Sequence, residues 1–217
     1  MTDVFWSIVA CSVASYLLGA VPCGYLIARS RGIDIRRTGS GNIGATNVFR
    51  FVGKGWGLIT FFGDILKGFV AAFFFPIIAG HVLMRETGQT LPVVCACLVV
   101  IGHNWPVYLH FKGGKGIATS AGALLGIAPV PLGIGLLSWI IVFPLSRYVS
   151  LASITAGLVM PAAGWFLYYR QSEWIQPGLL IPMLLTALGL LGILRHWGNI
   201  QRLMNGTENR FEFGRKR

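Results

Sequence analysis

The chain has 217 residues, of which 54% are hydrophobic and only 12% charged, with a formal net charge of +11 and a mean hydropathy of +0.68. A soluble domain carries about twice that charged fraction, so the composition excludes a water-soluble globular fold and predicts an all-α integral membrane protein. The 18 Lys and Arg residues lie between apolar segments rather than on one polar face. This excludes a nucleic-acid surface and suits membrane orientation and anionic ligands.

The first apolar segment runs from about Val4 to Ala28. No Lys or Arg precedes it and no small-x-small cleavage site follows, so it is read as a retained membrane helix, kinked at Pro22, rather than a signal peptide. Arg29 to Lys54 is a polar connection with six basic residues: Arg29, Arg31, Arg36, Arg37, Arg50 and Lys54. Inside it, Gly39-Ser40-Gly41-Asn42-Ile43-Gly44-Ala45-Thr46-Asn47 has the small hydroxyl, amide and glycine residues that form turns and nests of backbone N–H groups. The connection is long enough to hold a short interfacial helix.

The second span, about Trp56 to Gly80, contains Asp64 and Lys67. Three residues apart on a helix, they share a face and can pair. A lone charge at the centre of a membrane helix costs about 2.5–3.5 kcal/mol on insertion scales, so the pair is either a structural lock or a substrate-positioning device. A third span, about Leu91 to Leu109, ends in Gly102-His103-Asn104-Trp105-Pro106. Phe111-Lys112-Gly113-Gly114-Lys115-Gly116-Ile117-Ala118-Thr119 follows. Here the glycines permit close backbone approach, Lys112 and Lys115 supply charge, and Thr119 adds a hydroxyl. A helix starting after Gly116 would turn its dipole toward an anion. Phosphate binding and an ordinary basic membrane turn both fit this stretch taken alone. It is not a P-loop, because Gly116 stands where Ser or Thr is needed.

A short fourth span covers about Ile117 to Ala128, and Pro129-Val130-Pro131 turns the chain into a fifth that ends near Pro144. After Ser146-Arg147-Tyr148-Val149-Ser150 come a sixth span, about Leu151 to Tyr169, and a seventh, about Pro177 to Leu194. The polar tail is Arg195 to Arg217. In this seven-span reading, 15 of the 18 basic residues fall in the first, third and fifth connections and the tail; only Arg85 and Arg170 face the other side. The positive-inside rule then places the N-terminus outside and the tail in the cytoplasm. The polar segments thereby share the cytoplasmic face, as an active site would require. One polytopic domain, residues 1–217, is expected. The cysteines, Cys11, Cys23, Cys95 and Cys97, lie in apolar runs without zinc spacing and are read as small apolar residues.

His103 and His196 can each serve as general base or phosphate ligand, or simply anchor a helix end. The segment after His196, with Trp197 and Arg202, also fits an interfacial amphipathic helix. No His is followed five residues later by Asp; the His81/Glu86 pair has that spacing but falls on the opposite face. No metal-ligand cluster, magnesium-binding aspartate pair or Ser–His–acid pattern appears, so neither a metal nor another cofactor is expected. The remaining chemistry is a basic, hydroxylated pocket for an anionic headgroup with an apolar tail. A transporter of phosphorylated anions would need polar residues along a path to the outer face, where only Asp64 and Lys67 stand out. A non-catalytic scaffold would tolerate substitution of its basic loops.

The run Gly39 to Asn47 through Arg50 resembles the first signature of the bacterial acyl-phosphate:glycerol-3-phosphate acyltransferases, the PlsY family. Gly102 to Pro106 through Phe111 to Thr119 is similar to the second. Arg147 to Ser150 through Ser153 lies where a smaller shared block falls, and His196 to Ile200 through Arg202, Gly206 and Glu208 resembles the last. The resemblance covers essentially the whole chain. It implies a seven-helix enzyme of the bacterial inner membrane that transfers a fatty acyl group from acyl phosphate to the 1-hydroxyl of glycerol 3-phosphate. The products would be lysophosphatidic acid and phosphate, for phospholipid synthesis. Expected partners are those two substrates, membrane lipids and the enzyme that makes acyl phosphate, with no nucleic acid.

On this reading Lys112, Lys115 and the Gly113, Gly114 and Gly116 backbone hold one phosphate, with Thr119 beside them. Ser40, Asn42, Thr46, Arg50, His196 and Asn199 hold the other ligand, and Ser150 and Ser153 are carried over as substrate-binding. Lys115, His103 and His196 are the catalytic candidates. The hydroxyl proton goes to His103, to His196 or to a substrate phosphate oxygen. An acyl phosphate is already activated, so positioning two anions is the main task.

Overall fold

The computed structural model describes residues 2–84 and 88–211, with side chains from residue 5 onward. Arg85, Glu86 and residues 212–217 of the tail, which entered the charge count and the His81/Glu86 spacing above, lie outside them. The described residues form helices and connections, without strands. They divide into two compact units, Met1–Ile127 and Ala128–Arg217.

In the first unit, α1 (Thr2–Ala20) and α2 (Cys23–Ser30) are separated at Val21 and Pro22. Proline has no N–H to continue the ladder, and its ring displaces the preceding turn. The polar connection forms a 3₁₀ turn (Ile35–Arg37) and a short helix, α3 (Ala45–Phe51). Next come α4 (Lys54–Phe69), a π-helical turn (Val70–Phe74) and α5 (Phe75–Leu83), which together make one 30-residue apolar stretch. Pro76 in the first turn of α5 removes a donor, and the ladder widens just before it. Then follow α6 (Thr90–Asn104), a 3₁₀ turn (Val107–Leu109) and α7 (Ile117–Ile127).

Lipid tails are as apolar as leucine, so helices in a bilayer associate by close packing rather than by the hydrophobic effect. Glycines provide it here. On α4 and α7 the approach is reciprocal: a Cβ on Gly68 would fall on the Thr119 carbonyl, and one on Gly122 on the Ile65 carbonyl. The pairing of α1 with α6 uses the same device, with Gly19 against Val99 and Gly102 against Tyr16.

The second unit contains α8 (Pro129–Ser146), α9 (Val149–Tyr169), α10 (Leu180–Arg195) and α11 (Trp197–Met204). Pro129 opens α8, where its fixed φ favours the first helical turn. Leu137, Ile140, Ile141 and Leu145 form an exposed apolar stripe on α8, the inverse of a soluble helix, whose outward stripe is polar. Trp165 Nε1 on α9 donates to Thr186 Oγ1 on α10 at 3.0 Å.

Among the described residues five helical segments are long and apolar enough to cross a membrane: Phe5–Ser30, Lys54–Leu83, Thr90–Leu109, Pro129–Ser146 and Val149–Tyr169. A sixth results if α10 and α11, bent by 56°, count as one. The expected fourth span corresponds to α7, whose 11 residues extend only about 16 Å, roughly half a hydrocarbon core. Cys95 is buried, whereas Cys11, Cys23 and Cys97 are half-buried, and all four are free thiols.

Candidate active site

In the first unit the residues expected to bind substrate sit on two polar connections. The first is organised by Asn47, which is 4% exposed. Its Nδ2 donates to the carbonyls of Thr38 and Asn42, both at 2.9 Å, and of Ile35 at 3.3 Å. Its Oδ1 accepts from the Ser40 amide at 3.2 Å. Asn42 Oδ1 accepts from the Gly44 amide at 2.8 Å, the side-chain-to-backbone turn favoured by asparagine. Asn42 therefore uses its acceptor to build the turn, and its Nδ2 is the group that can face a ligand. Thr46 and Arg50, four residues apart on α3, share a face; both are half-buried.

Two of the connection's arginines are held locally. Arg36 Nε and Nη2 donate to the Asp34 carboxylate at 2.9 and 2.8 Å, and the guanidinium lies 4.7 Å from the Tyr25 ring centroid. These hydrogen bonds from Arg36 hold the Asp34 carboxyl down to about 2. Arg31 stacks on Trp56 at 5.3 Å.

The second connection is wrapped onto the end of α6. The amides of Gly113 and Gly114 donate to the carbonyls of Asn104 at 3.2 Å and His103 at 3.1 Å, carbonyls that the helix end would otherwise leave without partners. This alters the expected phosphate cradle. The N–H groups of Gly113 and Gly114 are used inside the protein, and these glycines serve close packing instead. Gly116 has a φ of +80°, and a Cβ there would lie 2.9 Å from Asn104 Oδ1. His110 and Phe111 are successive left-handed non-glycine residues, with φ of 52° and 61°, a conformation that only a surrounding fold maintains. Lys112 is exposed and Lys115 half-buried. Thr119 is fully buried in the first turn of α7, its Oγ1 without a hydrogen-bond partner.

His103, 6% exposed, meets the Asp64–Lys67 pair. Lys67 Nζ is 2.9 Å from Asp64 Oδ1, and His103 Nδ1 is 3.5 Å from the same oxygen. The spacing of Asp64 and Lys67 had predicted their pairing; the third member came from another helix.

In the second unit the tail turns back after Gly206, whose φ is +69°. Glu208 then accepts from Ser150 Oγ at 2.7 Å, Asn199 Nδ2 at 2.6 Å and Arg202 Nε at 2.7 Å. Burial pushes the Glu208 carboxyl up, but the hydrogen bonds from Ser150, Asn199 and Arg202 and the charge of Arg202 outweigh it, and the carboxyl titrates below its ordinary value. Ser150 and Asn199 thus donate to Glu208 where ligand contact was expected. Ser153 Oγ donates to the Val149 carbonyl at 2.8 Å and accepts from Trp139 Nε1 at 3.3 Å, tying α9 to α8. Both contacts of the Ser153 hydroxyl lie within the α8–α9 packing. His196, 3% exposed, stands at the bend between α10 and α11. Its Nδ1 is 2.7 Å from the Gly192 carbonyl. A carbonyl only accepts, so Nδ1 carries the proton and the neutral ring is basic at Nε2.

Asn47 and Glu208 received no role from the sequence, although both lie inside the stretches quoted above. The available signal was an amide two residues into a helix after a glycine-rich turn, and an acid within six residues of Arg202. Among the described residues no group of three or more His, Cys, Asp or Glu is placed to hold a metal.

A family model described as Glycerol-3-phosphate acyltransferase matches residues 9–206. A glycerol-3-phosphate acyltransferase of Desulforudis audaxviator (strain MP104C) is 44% identical over 207 residues, covering 92% of this chain and 93% of the relative. The one from Geobacter sulfurreducens is 40% identical over 203 residues, covering 93% and 96%. A crystal structure of PlsY (YgiH), an integral membrane glycerol 3-phosphate acyltransferase in its glycerol 3-phosphate form, superposes with a TM-score of 0.81. Its identity to this chain is 37%, over 95% of this chain and 96% of that one. The lysophosphatidic acid form of the same enzyme gives 0.79 at 36% identity, with the same coverage.

Proposed function

The chain belongs to the glycerol-3-phosphate acyltransferase family, and from that premise we propose that it moves a fatty acyl group from acyl phosphate to the 1-hydroxyl of glycerol 3-phosphate. The observation that carries this reading is the likeness, over 95% of the chain, to an enzyme crystallised in both a glycerol 3-phosphate and a lysophosphatidic acid form. These ligands differ by one acyl group, so the transfer joins them. Acyl phosphate supplies that group as a mixed anhydride. The hydroxyl oxygen bonds to the acyl carbon, the bond from that carbon to the phosphate oxygen breaks, and inorganic phosphate leaves with its electron pair.

Lys115, Lys112 and Arg50 neutralise the phosphates, with Ser40, Asn42 Nδ2 and Thr46 as further donors and acceptors. Gly113, Gly114 and Gly116 shape the lysine loop, and Thr119 closes it. Ser150 and Asn199 act through Glu208, which ties the tail to α9. On the first reading the proton of the attacking hydroxyl goes to His196, whose ring is oriented by the Nδ1 contact to the Gly192 carbonyl. The second reading gives it to a substrate phosphate oxygen. Two anions held together supply such an acceptor without any protein base.

The family match over residues 9–206 extends through both units and supports one acyltransferase domain, residues 1–217. Seven apolar spans remain the reading of the hydropathy pattern. The charge distribution supports an N-terminus outside and a tail in the cytoplasm, and the family resemblance implies residence in the bacterial inner membrane. The partners are the two substrates, membrane lipids and the enzyme that forms acyl phosphate.

The test is purified protein in lipid with palmitoyl phosphate and glycerol 3-phosphate, assayed for phosphate release and lysophosphatidate. Acyl-CoA and acyl carrier protein thioesters are run as competing donors and should give no product. Absence of product from palmitoyl phosphate, or full activity in both Lys115→Ala and Arg50→Ala, sinks the reading.

A further inference from the structure

Acyl transfer between two activated or anionic substrates does not require a buried carboxylate, yet Asp64 lies in the first unit with its side chain 4% exposed. Its Oδ1 is 2.9 Å from Lys67 Nζ and 3.5 Å from His103 Nδ1. Lys67 Nζ also donates to the Val21 carbonyl at 2.9 Å, at the break between α1 and α2. Three chain segments therefore meet at one charge cluster. From there His103 leads to the lysine loop in two ways. Its carbonyl accepts the Gly114 amide at 3.1 Å, and its ring lies so close that a Cβ on Gly114 would fall on Nε2. Gly114 is not in the left-handed region. The imidazole, not the backbone conformation, is what demands glycine at that position.

We propose that Asp64, Lys67 and His103 form a positioning cluster that fixes the Gly113–Lys115 turn and so sets the affinity for the phosphate that Lys115 holds. His103 is on this account a support and not the base, because its Nε2 faces Gly114. Asp64 orients the ring through Nδ1, as a carboxylate orients an imidazole in many sites, and Lys67 balances the carboxylate while tying it to the helix break. The inference rests on the reading that Lys115 contacts a substrate phosphate.

Steady-state kinetics on the full chain in lipid test it, with palmitoyl phosphate and glycerol 3-phosphate varied separately. Lys115→Ala identifies the substrate whose KM depends on that lysine. D64N, H103Q and G114A are expected to raise the KM of that same substrate about 10-fold while changing the other KM less than about 2-fold. In the Lys115→Ala background the effect of D64N should shrink to less than about 2-fold, since both changes act on one contact. A general loss of folded enzyme would lower the maximal rate without singling out one substrate. G114A keeps all three charges and decides the matter if D64N does not fold. Loss of kcat at unchanged KM in H103Q and G114A, or full additivity with Lys115→Ala, overturns the inference while leaving Lys115 as a ligand. A fully active Lys115→Ala overturns the phosphate role of that lysine and the inference with it.

Discussion

Ser150 and Glu208 are 58 positions apart in sequence, yet the Ser150 hydroxyl donates to Glu208 Oε1 at 2.7 Å. Asn199 and Arg202 donate to the same carboxylate, so the tail is fastened to the start of α9 by one acidic side chain that is 6% exposed.

That fastening is expected to depend on pH. Glu208 titrates below its ordinary value of 4.5 in the folded chain. A carboxyl with a depressed folded pKa stabilises the fold above its unfolded pKa, and that contribution disappears as pH falls through the folded one. Glu208→Gln should therefore lower the thermal midpoint at pH 7 and differ much less from the parent at about pH 3. Unfolding followed by tryptophan fluorescence in detergent at both pH values measures this. An equal difference at the two values contradicts it.

Asn47 supplies the donors for three carbonyls and the acceptor for one amide. Asn47→Ala should cost about 2–3 kcal/mol, since a polar group left without its partner loses more than the bond contributes. Asn47→Asp should be worse, because it turns a carboxylate oxygen toward those carbonyls. Denaturant or thermal unfolding gives the ranking, and an Asp variant as stable as the parent removes the assigned geometry.

Gly122 and Gly133 give contrasting expectations. A Cβ on Gly122 meets the Ile65 carbonyl, whereas one on Gly133 meets nothing within 4 Å. Gly122→Ala should destabilise by about 1–3 kcal/mol as α4 and α7 are forced apart. Gly133→Ala should cause no loss, since alanine is the better helix former. Comparable thermal midpoints for the two variants would count against the packing described.

His196 can be divided into its two nitrogens. Asparagine can replace the Nδ1 donor toward Gly192 but not the basic Nε2. His196→Asn should keep the thermal midpoint within a few degrees and lose about 10²-fold in kcat. If the asparagine variant is fully active, the proton goes to a substrate phosphate oxygen, and the second reading replaces the first.

The sequence was most informative where physical effects are local. Asp64 and Lys67 pair because a helix brings positions three apart onto one face, and no other element is needed for that prediction. The break at Pro22 follows from a missing N–H. The limits of the helices at Phe69, Asn104 and Ser146 were less legible, because spans were drawn from hydropathy and helices end where hydrogen bonds end. Hydropathy also could not distinguish the continuous stretch through the π turn at Val70–Phe74 from a regular helix, because hydropathy does not report the hydrogen-bond ladder.

The Phe111 to Thr119 loop shows where sequence stopped. Its glycines and lysines identified an anion-binding composition, and the resemblance supplied a substrate class. The fold then used the amides of Gly113 and Gly114 on the α6 carbonyls and placed His103 against Gly114. The partners of Ser153, Val149 and Trp139, were likewise not legible in the sequence, because they belong to the α8–α9 packing.

The sequence by itself determined the solvent, the apolar lengths, the chemistry-bearing motifs and the family, because composition, helical spacing and motif order are properties of the chain. Only the tertiary structure decided which polar side chains are tied into the framework, as Asn47, Ser150, Ser153 and Glu208 are. A hydroxyl, amide or carboxylate has the same chemistry wherever it stands, and its role is set by the partner that folding brings within about 3 Å.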